Sequence, residues 1–560
     1  MIKNGSEIIM ECLLEQDVNT VFGYPGGAVL NIYDALYDYK NKINHILTAH
    51  EQGATHAADG YARSTGKPGV VIATSGPGAT NTVTGIATAY MDSIPLIVIT
   101  GNVATQALGL DSFQEVDITG ITMPITKHNF IVKDVTKLAD TIREAFKIAT
   151  SDRKGPVLID VPKDITASKC EYTPKSISNQ SPKIAKNDID VNDVVAMLKK
   201  SKRPFIYTGG GCNSSDEADN EIEKFVELLD APVSSSLMGQ GSFDNFNERY
   251  IGMLGMHGTR TSSIAVTNCD LFIAIGTRFS DRVTLDVKKF ATNAKIIHID
   301  IDQAEINKNL RAHKTIIGDV KEVLSLINSK LPKCSHTAWM KQIDLWKRKF
   351  PLVQSPFKKN DVTPKELIET LCKLTNGDAL ISTEVGQHQM WTAQYYNFKG
   401  PKQFLTSGGL GTMGFGLGCA IGAKIAHPEK TVINIAGDGS FQMNCNELVT
   451  IAKYNIPIIE LVLNNQVLGM VRQWQRLIYN KRFSQTTLNR PTNLLKLANA
   501  YGIKAYRINK ANMIEKVLKK ALISKCPVLI EAVINKDMNV LPMVHAGGDI
   551  NDPIMGIEID

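Results

Sequence analysis

Short apolar runs alternate with helical stretches along the whole chain. The runs GVVIAT (69–74), PLIVIT (95–100), PVLIDV (156–161) and LFIAIG (271–276) are apolar on both faces, as are KIIHIDI (295–301), TVINIAG (431–437), PIIELVLN (457–464) and PVLIEAV (527–533). A strand with no polar face must be covered on both sides. Strands of this kind between helices predict parallel sheets flanked by helices. The N-terminal stretch MIKNGSEIIMECLLEQ reads as an amphipathic helix. It lacks the basic, apolar, small-residue order of a secretory signal and the acid-poor composition of a transit peptide.

Two segments interrupt the alternation. Residues 167–190 are rich in Ser, Lys, Pro and Asn and read as a linker. Residues 327–362 are charged, carry prolines at 332, 351 and 356, and read as a second connector. The expected organisation is therefore three α/β domains, each a doubly wound parallel sheet, over 1–166, 190–330 and 360–545. The outer two resemble each other. PVLIDVPKD begins at 156 and PVLIEAVINKD at 527; strand-to-glycine turns occur at 73–81 and 435–444; each is followed by a strand ending in Asn, at 102 and 465. Three matches in one order predict two copies of a single unit.

Composition narrows the function classes. At 43% hydrophobic and 21% charged residues, the chain is not disordered, collagen-like or a coiled coil. A net charge of +6 over 560 residues gives no argument for nucleic acid or an anionic membrane. No run reaches the ~18 apolar residues of a membrane span. The nine cysteines include no CxxC pair, so a reducing cytoplasm fits better than a disulfide framework or zinc ribbon.

Three stretches could carry chemistry. Gly437, Asp438, Gly439 and Ser440 follow a buried strand, and Asn465 ends the next one. A carboxylate and an amide oxygen at adjacent strand ends can share Mg²⁺, which would bridge to phosphate oxygens. The alternative is a simple turn plus a capping Asn. Glu51, in HEQGATHAADGYAR (50–63), sits among Ala and Gly, where an ionised carboxylate is costly; by itself it reads more readily as a structural glutamate. GLGTMGFGLGCAIGAK (409–424) is either a helix packed tightly on a sheet or a glycine-lined wall where Met413 presses on a flat ligand.

Together these stretches resemble a known family. FGYPGGAVLNIYDAL (22–36), TSGPGATNTVTGIATAYMDSIP (74–95), FQEVDITGIT (113–122), GPVLIDVPKD (155–164), MLGMHG (253–258), GTRFSDRVT (276–284), VGQHQMW (385–391) and LNNQVLGMVRQWQ (463–475) accompany them in order, nearly end to end. The chain is similar to the catalytic large subunits of acetohydroxyacid (acetolactate) synthase, which are thiamine-diphosphate enzymes.

The resemblance implies a pyrimidine-binding N-terminal domain, a central FAD-binding domain and a diphosphate-binding C-terminal domain. It also implies a cofactor site shared between two subunits, and so a homodimer or tetramer. Glu51 matches the glutamate that hydrogen-bonds the cofactor's pyrimidine nitrogen. Met413 matches the residue beneath the cofactor, and Gln114 one beside cofactor and substrate. Asp438 and Asn465 match the Mg²⁺ ligands, with Val467 in the third slot able to offer only its carbonyl. Gly386, Gln387 and His388 match the diphosphate loop, with Gly411, Gly437, Gly439 and Ser440 giving close approach. Arg153, His257, Gly258, Gly276, Arg278, Arg282, Asp300 and Asp319 match FAD positions. Lys163 matches a residue of the substrate channel, and Trp474 one that packs on the acceptor's side chain. Arg282 matches the arginine that pairs the acceptor carboxylate; its alternative is an ion pair with Asp281.

The implied reaction decarboxylates pyruvate and passes the two-carbon unit to pyruvate or 2-ketobutyrate, in branched-chain amino acid synthesis. No stretch resembles a regulatory domain, so valine feedback is expected to need a separate small subunit. Two departures from the family pattern stand out. Ser280 replaces an acid in RFSDRV. Gly418-Cys419 replaces the commoner Pro-Ala, where a more flexible and slightly larger lining is expected. An FAD-independent catabolic acetolactate synthase is disfavoured by MLGMHG and RF-x-DRV. An acetyltransferase such as sulfoacetaldehyde acetyltransferase is disfavoured by Gln114 and Trp474. A non-catalytic scaffold is disfavoured by retention of Glu51, Asp438 and Asn465.

Overall fold

The computed structural model describes residues 1–175, 189–354 and 357–556. It contains three six-stranded sheets, all parallel. The first is built from Thr20–Tyr24, Asn44–Leu47, Gly69–Ala73, Leu96–Asn102, His128–Ile131 and Val157–Pro162. Numbered in chain order, these lie side by side as 2-1-3-4-6-5. The third sheet, from Leu380–Thr383, Phe404–Leu405, Val432–Gly437, Ile458–Asn464, Lys504–Ile508 and Val528–Val533, has the same order. Each of the three matched sequence pairs falls on equivalent strands, the third, fourth and sixth of its sheet. The outer domains are thus two copies of one unit. The middle sheet, from Pro204–Thr208, Val233–Ser235, Tyr250–Met253, Leu271–Ile275, Lys295–Asp300 and Lys314–Ile317, runs 3-2-1-4-5-6. That order is the dinucleotide-binding one.

All eight apolar runs are strands, and strands such as Gly69–Ala73, Leu271–Ile275 and Ile458–Asn464 are buried at every position. The N-terminal amphipathic stretch is the helix Gly5–Glu15. Asn4 and Glu7 close a reciprocal capping box at its start. The described residues of both connectors include regular elements. Within 167–190, Lys169–Glu171 pairs antiparallel with Ile2–Asn4; residues 176–188 lie outside the described residues. Within 327–362, Thr337–Lys349 is a helix that buries Trp339 and Ile343 against the middle domain. Its charged face hides that anchor from a reading by composition. After the third sheet the chain returns to the middle domain, where Val544 N donates to Met256 O at 2.8 Å.

The outer domains meet through two helices, Glu51–Thr65 and Gly416–Ala426. They cross almost backbone to backbone. A Cβ on Gly60 would lie 2.0 Å from Cys419 O, and one on Gly422 1.7 Å from Ala57 O. Cys419 is fully buried in this crossing, and Gly418 packs on His56. The Gly418-Cys419 departure therefore shapes a helix contact, and the expectation of a looser ligand lining is corrected. The crossing is locked by buried Arg63, which pairs with Asp59 and, at 2.9 Å, with Asp92, and donates to Thr406 O at 2.8 Å. Its guanidinium lies 5.0 Å from the Phe415 ring centroid.

Gly422→Val is expected to force the two helices apart and destabilise the chain by about 1–3 kcal/mol. Thermal unfolding checks this: a lowered midpoint with native-like circular dichroism at low temperature is expected, and an unchanged midpoint contradicts the packing argument.

Candidate active site

Open parallel sheets bind ligands beyond the carboxyl ends of their strands, where the strand order reverses. In the first sheet that point lies between Thr20–Tyr24 and Gly69–Ala73. The loops leaving these strands touch, since a Cβ on Gly26 would lie 2.5 Å from Thr74 Cβ. Glu51 is the first residue of its helix and is buried. Its Oε2 accepts from Asn81 Nδ2 at 2.9 Å, and its Oε1 faces Gly78, 3.2 Å from where a Cβ would stand. Gln114 borders the same turn from the other side, with its carbonyl 2.8 Å from the Cβ position of Gly76. Gln114 itself has φ +60, a left-handed conformation that a glutamine adopts only when its surroundings hold it there.

In the third sheet the reversal lies between Leu380–Thr383 and Val432–Gly437. His388, one residue inside the Gln387–Tyr395 helix, packs its Nδ1 2.8 Å from the Cβ position of Gly437. Burial pushes the His388 ring down to about 3, so it is neutral near pH 7. Its Nε2 and the Oε1 of Gln387 are buried without a hydrogen-bond partner. Asp438, Asn465 and Val467 are linked by hydrogen bonds. Asp438 Oδ1 accepts from Asn465 N at 3.3 Å, and Asn465 Oδ1 accepts from Val467 N at 3.1 Å. Burial pushes the Asp438 carboxyl up to about 6. Among the described residues no three His, Cys, Asp or Glu side chains could hold a metal together. A cation here would be held by a mixed set: carboxylate, amide oxygen and the Val467 carbonyl. The residues fit that group, since a buried carboxyl, an unpartnered ring nitrogen and the glycines of the Gly437–Ser440 turn converge on one strand edge.

Met413 is half-exposed in the loop before the Gly416–Ala426 helix. This loop is tied to the Gly386–His388 stretch by Glu384, which directly precedes Val385 and Gly386. The buried Glu384 carboxyl accepts from Gly414 N at 2.6 Å, Gly416 N at 2.9 Å and Leu417 N at 3.4 Å. Gly414 has φ +91, which only glycine adopts readily. Burial outweighs the three donors and pushes Glu384 up to about 7.

In the middle domain the reversal lies between Pro204–Thr208 and Leu271–Ile275. Gly276, at φ +58, leaves no room for side chains: its Cβ would lie 2.8 Å from Gly211 Cα. His257, Gly258, Gly276, Arg278, Asp300 and Asp319 all lie at the carboxyl ends of this sheet's strands. Three of these groups have protein partners: Asp319 caps the Val320–Lys330 helix, Arg278 donates to Met91 O at 2.8 Å, and Asp300 accepts from Asp302 N at 2.9 Å. Arg153 reaches from the first domain to Asp302 at 3.1 Å and Glu305 at 2.9 Å. His257 Nε2, Asn213 Oδ1 and the Tyr207 hydroxyl are buried without partners. This edge fits a flavin dinucleotide.

Of the three residues expected at the substrate, Arg282 adjoins the middle-domain edge, where its carbonyl accepts from Met256 N at 2.8 Å. Lys163 opens a short helix at the end of Val157–Pro162 with its side chain exposed. Trp474 is half-buried against the aromatic cluster of the middle domain. Arg282 is largely exposed, and its nearest carboxylate, Asp281, is 3.8 Å away. The ion-pair alternative for Arg282 is therefore weak in this structure.

Sequence reasoning missed Asn81, Glu384 and the glycines 209–211. Asn81 stands inside a quoted motif, but its partner is 30 residues away. Gly209–Gly211 directly follow Pro204–Thr208, a strand that its short, proline-led sequence concealed. Among the described residues no hydrogen bond or ion pair joins Glu51, Asn81 or Gln114 to Gly386–His388, Met413 or Asp438–Ser440.

Comparison with known proteins bears on all three domains. Residues 3–121 match the thiamine pyrophosphate enzyme N-terminal TPP binding domain, 191–327 the central domain, and 384–532 the C-terminal TPP binding domain. A probable acetolactate synthase large subunit of Methanocaldococcus jannaschii is 45% identical over 572 residues, covering 99% of this chain and 96% of the relative. The chloroplastic acetolactate synthase of Arabidopsis thaliana is 46% identical over 573 residues, covering 99% and 84%. The large subunit of Porphyra purpurea is 45% identical over 569 residues, covering 99% and 96%.

The Asp438 carboxyl must be ionised to bind a cation, and its proton is held up to about pH 6. Mg²⁺ affinity is therefore expected to be level above that pH and to weaken about tenfold per unit below it. Calorimetric titration of Mg²⁺ in the presence of thiamine diphosphate checks this, and an affinity unchanged down to about pH 5 contradicts it.

Proposed function

The chain belongs to the acetolactate synthase large subunits of the thiamine pyrophosphate enzymes, and on that footing we propose that it decarboxylates pyruvate and transfers the two-carbon unit to a second 2-keto acid. Pyruvate as acceptor gives 2-acetolactate, and 2-ketobutyrate gives 2-aceto-2-hydroxybutyrate. Its place is then in valine, leucine and isoleucine synthesis. The observation that carries this reading is the pair of half-sites at the outer sheets, one holding a buried carboxylate and the other an anion cradle.

Thiamine diphosphate, when bound, supplies the carbon nucleophile and electron sink that a 2-keto acid needs to lose carbon dioxide. The protein's own task is to hold and protonate. Asn81 takes one oxygen of Glu51 and leaves the other facing the Gly78 turn. That oxygen would hydrogen-bond the pyrimidine nitrogen of the bound cofactor. Burial keeps water from competing for it. Asp438, Asn465 and the Val467 carbonyl would hold Mg²⁺, and Gln387, His388 and the 437–440 turn would hold the diphosphate. Met413 supports the cofactor from a loop that Glu384 fixes. Gln114 stands beside the reacting atoms, Arg282 pairs the acceptor carboxylate, Trp474 packs on its side chain, and Lys163 lines the approach. Arg153, His257, Gly258, Gly276, Arg278, Asp300 and Asp319 would hold FAD along the middle-domain edge, where it would take no part in the net reaction.

A homodimer completes the site. Among the described residues no hydrogen bond or ion pair joins Glu51, Asn81 or Gln114 directly to Gly386–His388, Met413 or Asp438–Ser440, and apolar groups surround both half-sites. Phe113 beside Gln114 is 88% exposed, and Leu410 and Met443 flank the Met413 loop in the open. A small regulatory subunit is the further partner. Several of the relatives are named as large subunits. Among the described residues no helix is long and apolar enough to cross a membrane. The nine cysteines are free, in keeping with the reducing cytoplasm.

Purified chain with thiamine diphosphate, Mg²⁺ and FAD is expected to form 2-acetolactate from pyruvate, and 2-aceto-2-hydroxybutyrate once 2-ketobutyrate is added. Glu51→Gln should retain cofactor affinity and lower carbon dioxide release by about 10²–10⁴-fold. Product chromatography and carbon dioxide assay check both; undiminished release by the variant overturns the assignment of Glu51.

A further inference from the structure

The helix that begins with Glu51 is capped from another domain. Its N-cap is His50, whose ring Nδ1 accepts from Gln52 N at 3.1 Å. A capping box would add a Glu or Gln at the third helical residue, reaching back to the N-cap amide. Here that residue is Gly53, which has no side chain. The carboxylate of Glu447, from the C-terminal domain, takes its place. Its Oε1 accepts from His50 N at 3.1 Å, and its Oε2 from Ala49 N at 3.1 Å. A Cβ on Gly53 would lie 2.0 Å from Glu447 Oε1, so the foreign carboxylate occupies the space where the helix's own side chain would stand.

The arrangement is built rather than incidental. Glu447 is fully buried, and Thr450 Oγ1 donates to its Oε2 at 2.5 Å. Tyr454, one helix further along, accepts from Leu47 N at 2.9 Å on the strand leading into Glu51. The stretch 447–454 thus grips 47–50 at three backbone amides. The same stretch begins seven residues after Ser440.

We propose that Glu447 is a positioning residue for the known reaction: by closing a capping box across domains, it sets where the Glu51 side chain leaves the backbone. The proposal rests on the assignment of Glu51 above. Losing the cap frees two amides, shifts the helix start and moves the Glu51 carboxylate off the pyrimidine nitrogen. A displacement of about 1 Å at such a group can cost on the order of 10²-fold in rate.

Exchange of the thiazolium C2 proton of bound thiamine diphosphate into D₂O reports the Glu51 geometry directly. Wild type, Glu51→Gln, Glu447→Gln, Glu447→Ala and the double variant Glu447→Ala/Gly53→Glu are compared, with cofactor affinity and unfolding midpoint measured on each. Both Glu447 variants should bind cofactor nearly as well as wild type and exchange about 10–100-fold more slowly. The double variant carries the carboxylate on the helix itself and should recover most of the lost rate. A group that merely fills space between domains would lower the midpoint without slowing exchange at the bound cofactor, and would not be rescued by Gly53→Glu. Wild-type exchange in both Glu447 variants, or slow exchange without rescue, overturns the proposal. Failure of wild type to exchange, or wild-type exchange in Glu51→Gln, would instead overturn the assignment of Glu51.

Discussion

The structure depends on two helices approaching closer than side chains allow. Glycines and alanines of Glu51–Thr65 and Gly416–Ala426 let one backbone rest on the other, and Arg63 neutralises two buried aspartates beside the contact. This crossing fixes the outer domains as one body. Glu51 opens one helix and the Met413 loop leads into the other, so the contact that holds the fold also sets the reach of both. An ion pair buried this deeply is weak evidence for stability by itself. Its value here is positional, because it ties Thr406 and the loop beyond it to the first domain.

The chemistry follows from parallel topology. In each sheet the strand order reverses beside the first strand, and there two outgoing loops touch: Gly26 on Thr74, Gly209 and Gly211 on Gly276, His388 on Gly437. Two of these edges belong to copies of one unit that have diverged. One carries a carboxylate in an apolar setting, and the other donors and glycines suited to an anion. A duplicated unit facing its own copy offers both ends of one elongated cofactor. The middle sheet, with its different strand order, supplies the third edge.

Burial decided how much of this was legible in the sequence. Strands covered on both faces, such as Leu96–Asn102 and Val432–Gly437, read as unbroken apolar runs. Edge strands did not. His128–Ile131 and Lys504–Ile508 are half-exposed, and their mixed composition resembles loop. Pro204–Thr208 is buried but short and led by proline. The candidate site divides the same way. Asp438, Asn465, Gly386 and His388 stand in local motifs, and the fold gathers them at one strand edge. Asn81, Glu384 and Glu447 were silent because each acts on residues brought near only by tertiary packing. Glu447 is the clearest case, since the amides it accepts from, Ala49 and His50, lie 398 and 397 residues away in the chain.

The central claim is that the carboxylate of one copy serves the anion cradle of another. Mixing two chains, each inactive by a different substitution, tests it most directly. Glu51→Gln lacks the first half-site and Asp438→Asn the second. If the site forms between copies, dissociating and reassociating an equal mixture yields mixed dimers with one intact site, and acetolactate formation returns to roughly a quarter of the wild-type rate. If both groups act within a single chain, every site in the mixture stays broken, and an activity no higher than that of the separate variants would contradict the account.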